Sequence, residues 1–197
     1  MTGARPRWFT QYGEGHAEWY IERFRKLAAA GEDLEGEARL LDAMLPRRAR
    51  VLDAGCGPGR VGAALHARGH EVIGVDVDPA LIAAAIEDHP GPQWIVGDLA
   101  TFEVAGPPCD AAVLAGNVLV FVAPGSEVQV LSRVAAHVRP DGFVVTGFAT
   151  DREYPVETFD RDCVAAGLVL EHRFSTWDLR PWQPDAGFAV TVLRRPS

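Results

Sequence analysis

Three aspartates stand at the carboxyl ends of apolar runs, where a side chain can reach a ligand: Asp53 in VLDAGCGPGR (51–60), Asp76 in VIGVDVDPALI (72–82) and Asp98 in WIVGDLATF (94–102). A carboxylate placed like Asp76, at the end of a second strand, can accept two hydrogen bonds from a ribose diol. Asp98, at the end of a third, is placed to accept from the exocyclic amine of an adenine. Between Asp53 and Asp76 lies a glycine loop running into a helix. Such a loop is a ready binding site, because glycine lets a ligand approach the main chain and the helix start offers free N–H groups. Two glycine frames fit. Gly57, Gly59 and Gly62 satisfy the G-x-G-x-x-G of a dinucleotide fold, whereas Gly55, Gly57 and Gly59 give a tighter G-x-G-x-G with Asp53 two residues ahead. Both frames predict Asp76, but a dinucleotide site has no particular need of Asp98.

The elements that must position these groups follow from apolar clusters bounded by turn residues, with helical spacing between them. Strands are expected at 50–54, 71–75, 93–96, 110–114, 143–148, 168–174 and 188–193, and helices at 60–68, 80–88, 127–138 and 157–166. Gly69 and Gly167 stop helices, and Pro140-Asp141-Gly142 reads as a turn into a strand. The alternation implies right-handed crossovers and a parallel sheet covered on both faces. The segment 175–187 is too short and too rich in Pro and Asp for a crossover helix, so the last strand should return antiparallel. Ahead of the first strand, two amphipathic segments at 14–30 and 35–45 read as an N-terminal helical cap on the same domain. The expected organisation is one domain over 1–197, with a cap or lid at 1–46 and a Rossmann-like core at 47–197.

The whole chain narrows the chemistry. With 19 Lys and Arg against 27 Asp and Glu, a net charge of −8, a phosphate backbone is a poor partner, so no nucleic acid is expected. Cys56, Cys109 and Cys163 form no C-x-x-C pair and read as reduced structural thiols. The six histidines form no ligand cluster with acids, so no metal is indicated. No apolar run could cross a bilayer and the first residues lack a signal-peptide core, which points to a cytoplasmic protein without a membrane partner.

Taken together, these segments resemble the class I S-adenosylmethionine-dependent methyltransferases over roughly residues 35–195. VLDAGCGPGR matches the first motif, VIGVDVDPALI the second and WIVGDLATF the third. DAAVLAGNVLVFV (110–122) matches the fourth strand with its loop, and VRPDGFVVTGFA (138–149) the fifth strand. The resemblance implies an α/β, three-layer Rossmann-like fold with a seven-stranded, mostly parallel sheet in the order 3-2-1-4-5-7-6 and an antiparallel last strand. It implies S-adenosyl-L-methionine as cofactor. Gly55, Cys56 and Gly57, with Gly59 completing the frame, would line its methionine part, and Asp53 would help hold the ammonium group. Asp76 would take the ribose, Val77 would flank the adenine, and Asp98 and the Leu99 N–H would meet its edge. Asn117 lies where the transferred methyl usually points. Arg39 would clamp the cofactor carboxylate, as an arginine before the first strand does in some relatives, or pair with Glu35 one helical turn earlier.

Methyl transfer from a sulfonium needs mainly alignment and desolvation, and a base only when the nucleophile is protonated. No dedicated catalytic motif stands out, and candidates are Asn117, His16 and Tyr12, with His16 readable either as a base or as a solvated helix-start residue. Asn117-Val118-Leu119-Val120 departs from the Asn/Asp-Pro-Pro-aromatic loop of adenine and glutamine methyltransferases, which favours a small-molecule acceptor. Tyr12, Trp19, Arg152, Trp177 and Arg180 are candidate acceptor contacts, although burial preferences make packing the first reading of Trp19 and Tyr20. The expected function is methyl transfer to a small molecule. The alternatives are a regulatory protein that binds S-adenosylmethionine or S-adenosylhomocysteine without turnover, and an NAD-dependent oxidoreductase. The acceptor and the oligomeric state are not readable.

Overall fold

The structure, a computed structural model, describes residues 4–197. Among the described residues three helices precede the sheet: α1 (Arg7–Gln11), α2 (His16–Ala29) and α3 (Gly36–Met44). The expected first helix at 14–30 starts at His16 because Gly15 caps it in the left-handed region at φ 83°, where side chains are strained. The chain ahead of it folds into the additional short helix α1.

Strand and helix then alternate through β1 (Arg50–Ala54), α4 (Arg60–Ala67), β2 (Glu71–Asp76), α5 (Pro79–Asp88), β3 (Gln93–Val96) and β4 (Cys109–Leu114). The second half follows as α6 (Val118–Phe121), α7 (Glu127–His137), β5 (Val138–Ala149), α8 (Val156–Ala165), β6 (Val169–Phe174) and β7 (Phe188–Arg194). The sheet has seven strands in the order β3-β2-β1-β4-β5-β7-β6. β1 to β5 run parallel and β7 pairs antiparallel with both β5 and β6, as the short connection requires. Residues 140–142, expected as a turn, instead lie inside β5. The register jumps there from Cys109↔Val138 to Ala111↔Phe143, and Asp141 has φ 59°.

β1 is buried along its whole length, as a central parallel strand must be. One face of the sheet packs Val130, Leu131 and Val134 of α7 and Phe159 of α8, and the other packs Leu41 of α3 with Val61 and Leu65 of α4. Helices on both faces give three layers. α5 starts sharply because Asp78 accepts from the Ala80 N–H at 2.9 Å and Pro79 takes the first helical position, where its missing N–H costs nothing. α2 has no buried residue. It lies over the sheet's C-terminal edge, held at the rim by Arg25, which bonds Asp88 at 2.9 Å and Glu87 at 3.2 Å on α5.

Candidate active site

β1 has β2 on one side and β4 on the other, so the loops leaving β1 and β4 part company at the sheet edge. The crevice opened at such a switch point is where open α/β sheets bind ligands. Here it is a cavity of about 470 Å³, within the range of small-molecule sites. Its floor is Gly55, Cys56 and Gly57, one wall carries Asp76, Val77, Asp98 and Leu99, and Gly116, Asn117 and Val118 face them.

The glycine frame is decided by packing. A Cβ at Gly59 would stand 2.9 Å from the Trp94 ring, and one at Gly62 would stand 2.8 Å from it. Both glycines make room for a tryptophan under the loop, and neither lines the cavity. Gly57 does line the cavity, and a Cβ added there would meet only the Tyr20 ring, at 3.7 Å. At Gly55, a Cβ would meet Val118 at 2.5 Å, so this glycine lets the loop after β4 close against the loop after β1. Gly59 is therefore a packing and helix-start glycine at φ 88°, and the frame that reaches a ligand begins at Gly55.

The acids are held ready. Asp53 is buried and one oxygen accepts from the Gly62 N–H at 2.8 Å. Burial pushes its carboxyl up to about 7, a shift that this hydrogen bond and the nearby Arg60 only partly offset. Asp76 accepts from the Gly57 N–H at 2.9 Å and from the Asp78 N–H at 3.0 Å, and burial raises it to about 6. Two carboxyls that resist ionising in one cavity are matched to a ligand that brings cationic or hydrogen-bond-donating groups. Asp98 is exposed and accepts from the Ala100 N–H at 2.9 Å, so it also shapes its own turn. Burial keeps the Cys56 thiol protonated well above its ordinary range.

Aromatic residues roof the cavity. Trp8, Tyr12, His16, Trp19 and Tyr20 all line it. His16 stacks on Tyr12 at 3.8 Å between ring centroids, and Trp8 packs edge-on to Tyr20 at 5.5 Å. Desolvation lowers the His16 pKa, the first requirement of a neutral base. Two bonds anchor this roof: the Trp8 indole N–H donates to Asp78 at 2.7 Å, and Arg7 pairs with Glu127 at 3.1 Å.

Comparison with known proteins gives this geometry its family. Residues 51–142 match the methyltransferase-domain family. The trans-aconitate 2-methyltransferase of Methylobacterium nodulans is 30% identical over 193 residues, 90% of this chain and 72% of that enzyme. The chain belongs to the class I S-adenosylmethionine-dependent methyltransferases. The trans-aconitate 2-methyltransferase of Variovorax paradoxus is 32% identical over 125 residues; that match takes in 61% of this chain and 46% of that enzyme, less than half its length. A TehB-like S-adenosylmethionine-dependent methyltransferase of Corynebacterium glutamicum is 42% identical, covers 93% of this chain and all of its own, and superposes with a TM-score of 0.88.

S-adenosylmethionine is the cofactor of this methyltransferase family, and the cavity fits it on its own terms. The main chain is bare at Gly57, two buried carboxyls resist ionising without a partner, and no residue among those described bonds the Leu99 N–H. The family match displaces the dinucleotide reading.

Several expected residues lie elsewhere. Arg39 is outside the cavity and forks onto Asp33 with two bonds of 2.7 Å, while Glu35 pairs with Arg68. Neither expectation for Arg39 holds, because the loop before α3 supplies a closer carboxylate. Trp177 and Arg180 also miss the cavity. The β6–β7 hairpin lies at the right edge of the sheet, but Trp177 folds back onto Gly147 and beside Gly36, where an added Cβ would stand 3.6 Å from the Trp177 Cβ, and Arg180 is exposed beside Asp178. Arg152 lines the cavity. Asn117 lines it too, although its carboxamide oxygen accepts from the Ala149 N–H at 2.7 Å and so ties the loop after β4 to the end of β5. Trp8, Arg23, Arg60 and Phe121 line the cavity without having been singled out from the sequence. Trp8 was hidden because the chain breaks between α1 and α2, so no helical spacing links it to His16 and Tyr20.

Proposed function

We propose that this chain transfers the methyl group of S-adenosylmethionine to a small-molecule acceptor, working as one domain with residues 1–46 as its lid. The observation that carries this reading is the convergence of Asp53, Asp76, Asp98 and the bare backbone of Gly57 on one cavity beneath an aromatic roof. Asp76 takes the ribose hydroxyls, and Val77, Asp98 and the Leu99 N–H take the adenine. Gly55, Cys56, Gly57 and Asp53 hold the methionine end. Arg23 takes the carboxylate in place of Arg39. Its guanidinium lies over the rings of Trp19 and Phe24 at 5.8 and 5.6 Å and has no ion pair among the described residues, whereas the Arg60 guanidinium is already held by Glu37.

Tyr12, Trp19 and Arg152 border the acceptor side, and His16, kept neutral, serves as base where the acceptor nucleophile is protonated. The net charge of −8 supports a small molecule over a nucleic acid. No helix among the described residues is long and apolar enough to cross a membrane. That and the three buried thiols support a cytoplasmic setting.

Calorimetric titration tests the reading. S-adenosylhomocysteine should bind, and Asp76→Ala should abolish that binding; tight binding of NAD instead would overturn it. Release of S-adenosylhomocysteine should then be assayed with trans-aconitate, the acceptor named for two relatives, and with a panel of other small acids, amines and phenols. Binding without turnover across an extensive panel would favour the binder reading.

A further inference from the structure

The cavity divides by charge along the sheet. Its carboxylates, Asp53, Asp76 and Asp98, stand at or just past the ends of β1, β2 and β3, whereas the segments after β4 and β5 give it one charged group, Arg152. The acids of those segments are turned to other uses. Asp151 lies 3.8 Å from Arg152 and Glu153 3.9 Å from Arg7, and neither lines the cavity; Glu127 is held by Arg7. Asn117 is the other polar side chain on this half. Its carboxamide oxygen accepts from the Ala149 N–H at 2.7 Å, which fixes the orientation of the amide, because only the oxygen end can meet an N–H donor. Its N–H2 end is left without a protein partner among the described residues. Phe121 supplies an apolar wall here, with the rings of Trp8 and Tyr12 6.0 and 5.7 Å from its own. This half of the cavity thus pairs apolar surface with donors and lacks a carboxylate.

We propose that the methyl acceptor is a small carboxylic acid with an apolar body, held by the Asn117 N–H2 group and Arg152, and that it takes the methyl on a carboxylate oxygen. This assignment rests on the methyltransferase reading above, with the cofactor along β1 to β3 and the acceptor across from it. An amine is the competing nucleophile and fits poorly. It spends its single lone pair on the new bond, so its N–H groups need acceptors, and the Asn117 oxygen is already taken. In its protonated form it also meets Arg152 as a like charge. A carboxylate carries lone pairs on two oxygens, so donors can hold one oxygen while the other attacks. It is ionised at neutral pH, with an ordinary pKa of about 4, so no base is called on. The oxygen lone pair forms the new O–C bond as the C–S bond breaks, and that bond's electron pair stays on sulfur. The products are a methyl ester and S-adenosylhomocysteine, and no proton moves.

Calorimetry on the protein saturated with S-adenosylhomocysteine tests this with matched pairs: benzoate and benzylamine, cinnamate and cinnamylamine, hexanoate and hexylamine. At least one acid should bind, and its amine at least about tenfold more weakly. Arg152→Gln should weaken that acid about 10- to 100-fold, the range for losing a charged hydrogen bond, with S-adenosylhomocysteine affinity unchanged. Asn117→Asp keeps an acceptor for the Ala149 N–H and suits the left-handed backbone at φ 68°. It should also weaken the acid, because it sets one carboxylate against another. With methyl-labelled S-adenosylmethionine, the acids that bind should give a product whose label mild alkali releases as methanol, as an ester requires. Absence of acid binding, preference for the amines, unchanged acid affinity in Arg152→Gln, or no alkali-labile product overturns the proposal and leaves the methyltransferase reading standing. Wild-type protein that does not bind S-adenosylhomocysteine overturns both.

Discussion

Asp53 is where stability and binding pull in opposite directions. Its carboxyl sits near 7 in the folded chain because burial penalises the charge, against an ordinary value of 3.8. The folded state thus keeps a proton that the unfolded chain gives up. The stability this group contributes is full below about pH 4 and is lost as pH rises through 7. Asp53→Asn keeps an acceptor for the Gly62 N–H without the charge. It should raise the melting temperature of the ligand-free protein at pH 8 by about 3 °C or more, and the gain should vanish near pH 4. The same variant should bind S-adenosylhomocysteine at least about tenfold more weakly, as expected for losing a charged hydrogen-bond partner. A thermal gain that persists at pH 4 would show that burial of the charge is not its cause. At this scale the sequence was uneven. Asp53, Asp76 and Asp98 were legible because each closes a strand beside a glycine or a turn. Arg39 was not, because its partner Asp33 lies six residues back in a loop, outside any helical spacing rule.

At the scale of elements, the legible parts were those with a period and a stop signal. The strands and core helices fall within a few residues of their expected limits, except β5, whose irregular start absorbs the Pro140-Asp141-Gly142 turn. The helices α1 and α6 have five and four residues, too few to show an apolar stripe, and tertiary contacts define them. The hairpin loop was assigned to the correct edge but not to its packing, since the Gly147 gap that receives Trp177 is created only once β5 is in the sheet. Removing residues 1–30 should leave the sheet folded by circular dichroism, because α2 buries nothing in the core, while S-adenosylhomocysteine affinity falls about tenfold or more with the loss of Trp8, Arg23 and the aromatic roof. Unchanged affinity in a folded truncation would refute the lid. Gly59→Ala should destabilise the chain by about 2 kcal/mol or more in denaturant unfolding, combining left-handed strain with a Cβ 2.9 Å from Trp94. A smaller cost would mean that Trp94 can move aside.

Across the whole molecule, the order β3-β2-β1-β4-β5-β7-β6 creates the cavity by parting the loops of β1 and β4; the alternation and the short final connection announced a parallel sheet with an antiparallel last strand, whereas the strand order came from the family resemblance. The acceptor was not foreseeable, because its walls come from the lid and from loops that obey no shared motif. What joins the site to the global fold is the pair of reluctant acids. In the proposed binding mode S-adenosylhomocysteine brings an ammonium group to Asp53 and a ribose diol to Asp76, whose carboxyls stand near 7 and 6 in the free protein and accept far more strongly once ionised. Ligand at 100 times its dissociation constant stabilises the folded chain by about 2.7 kcal/mol, about 5–10 °C for a chain of this length. That shift should be full at pH 8. At pH 5.5 and the same ligand concentration it should fall to less than half, because binding then has to strip protons that burial has made hard to remove. Titrations at pH 6 in buffers of differing ionisation enthalpy should accordingly report protons released on binding. A thermal shift that grows on acidification, or proton uptake at pH 6, would mean that the ligand meets these carboxyls in their neutral form and that the ammonium group lies elsewhere.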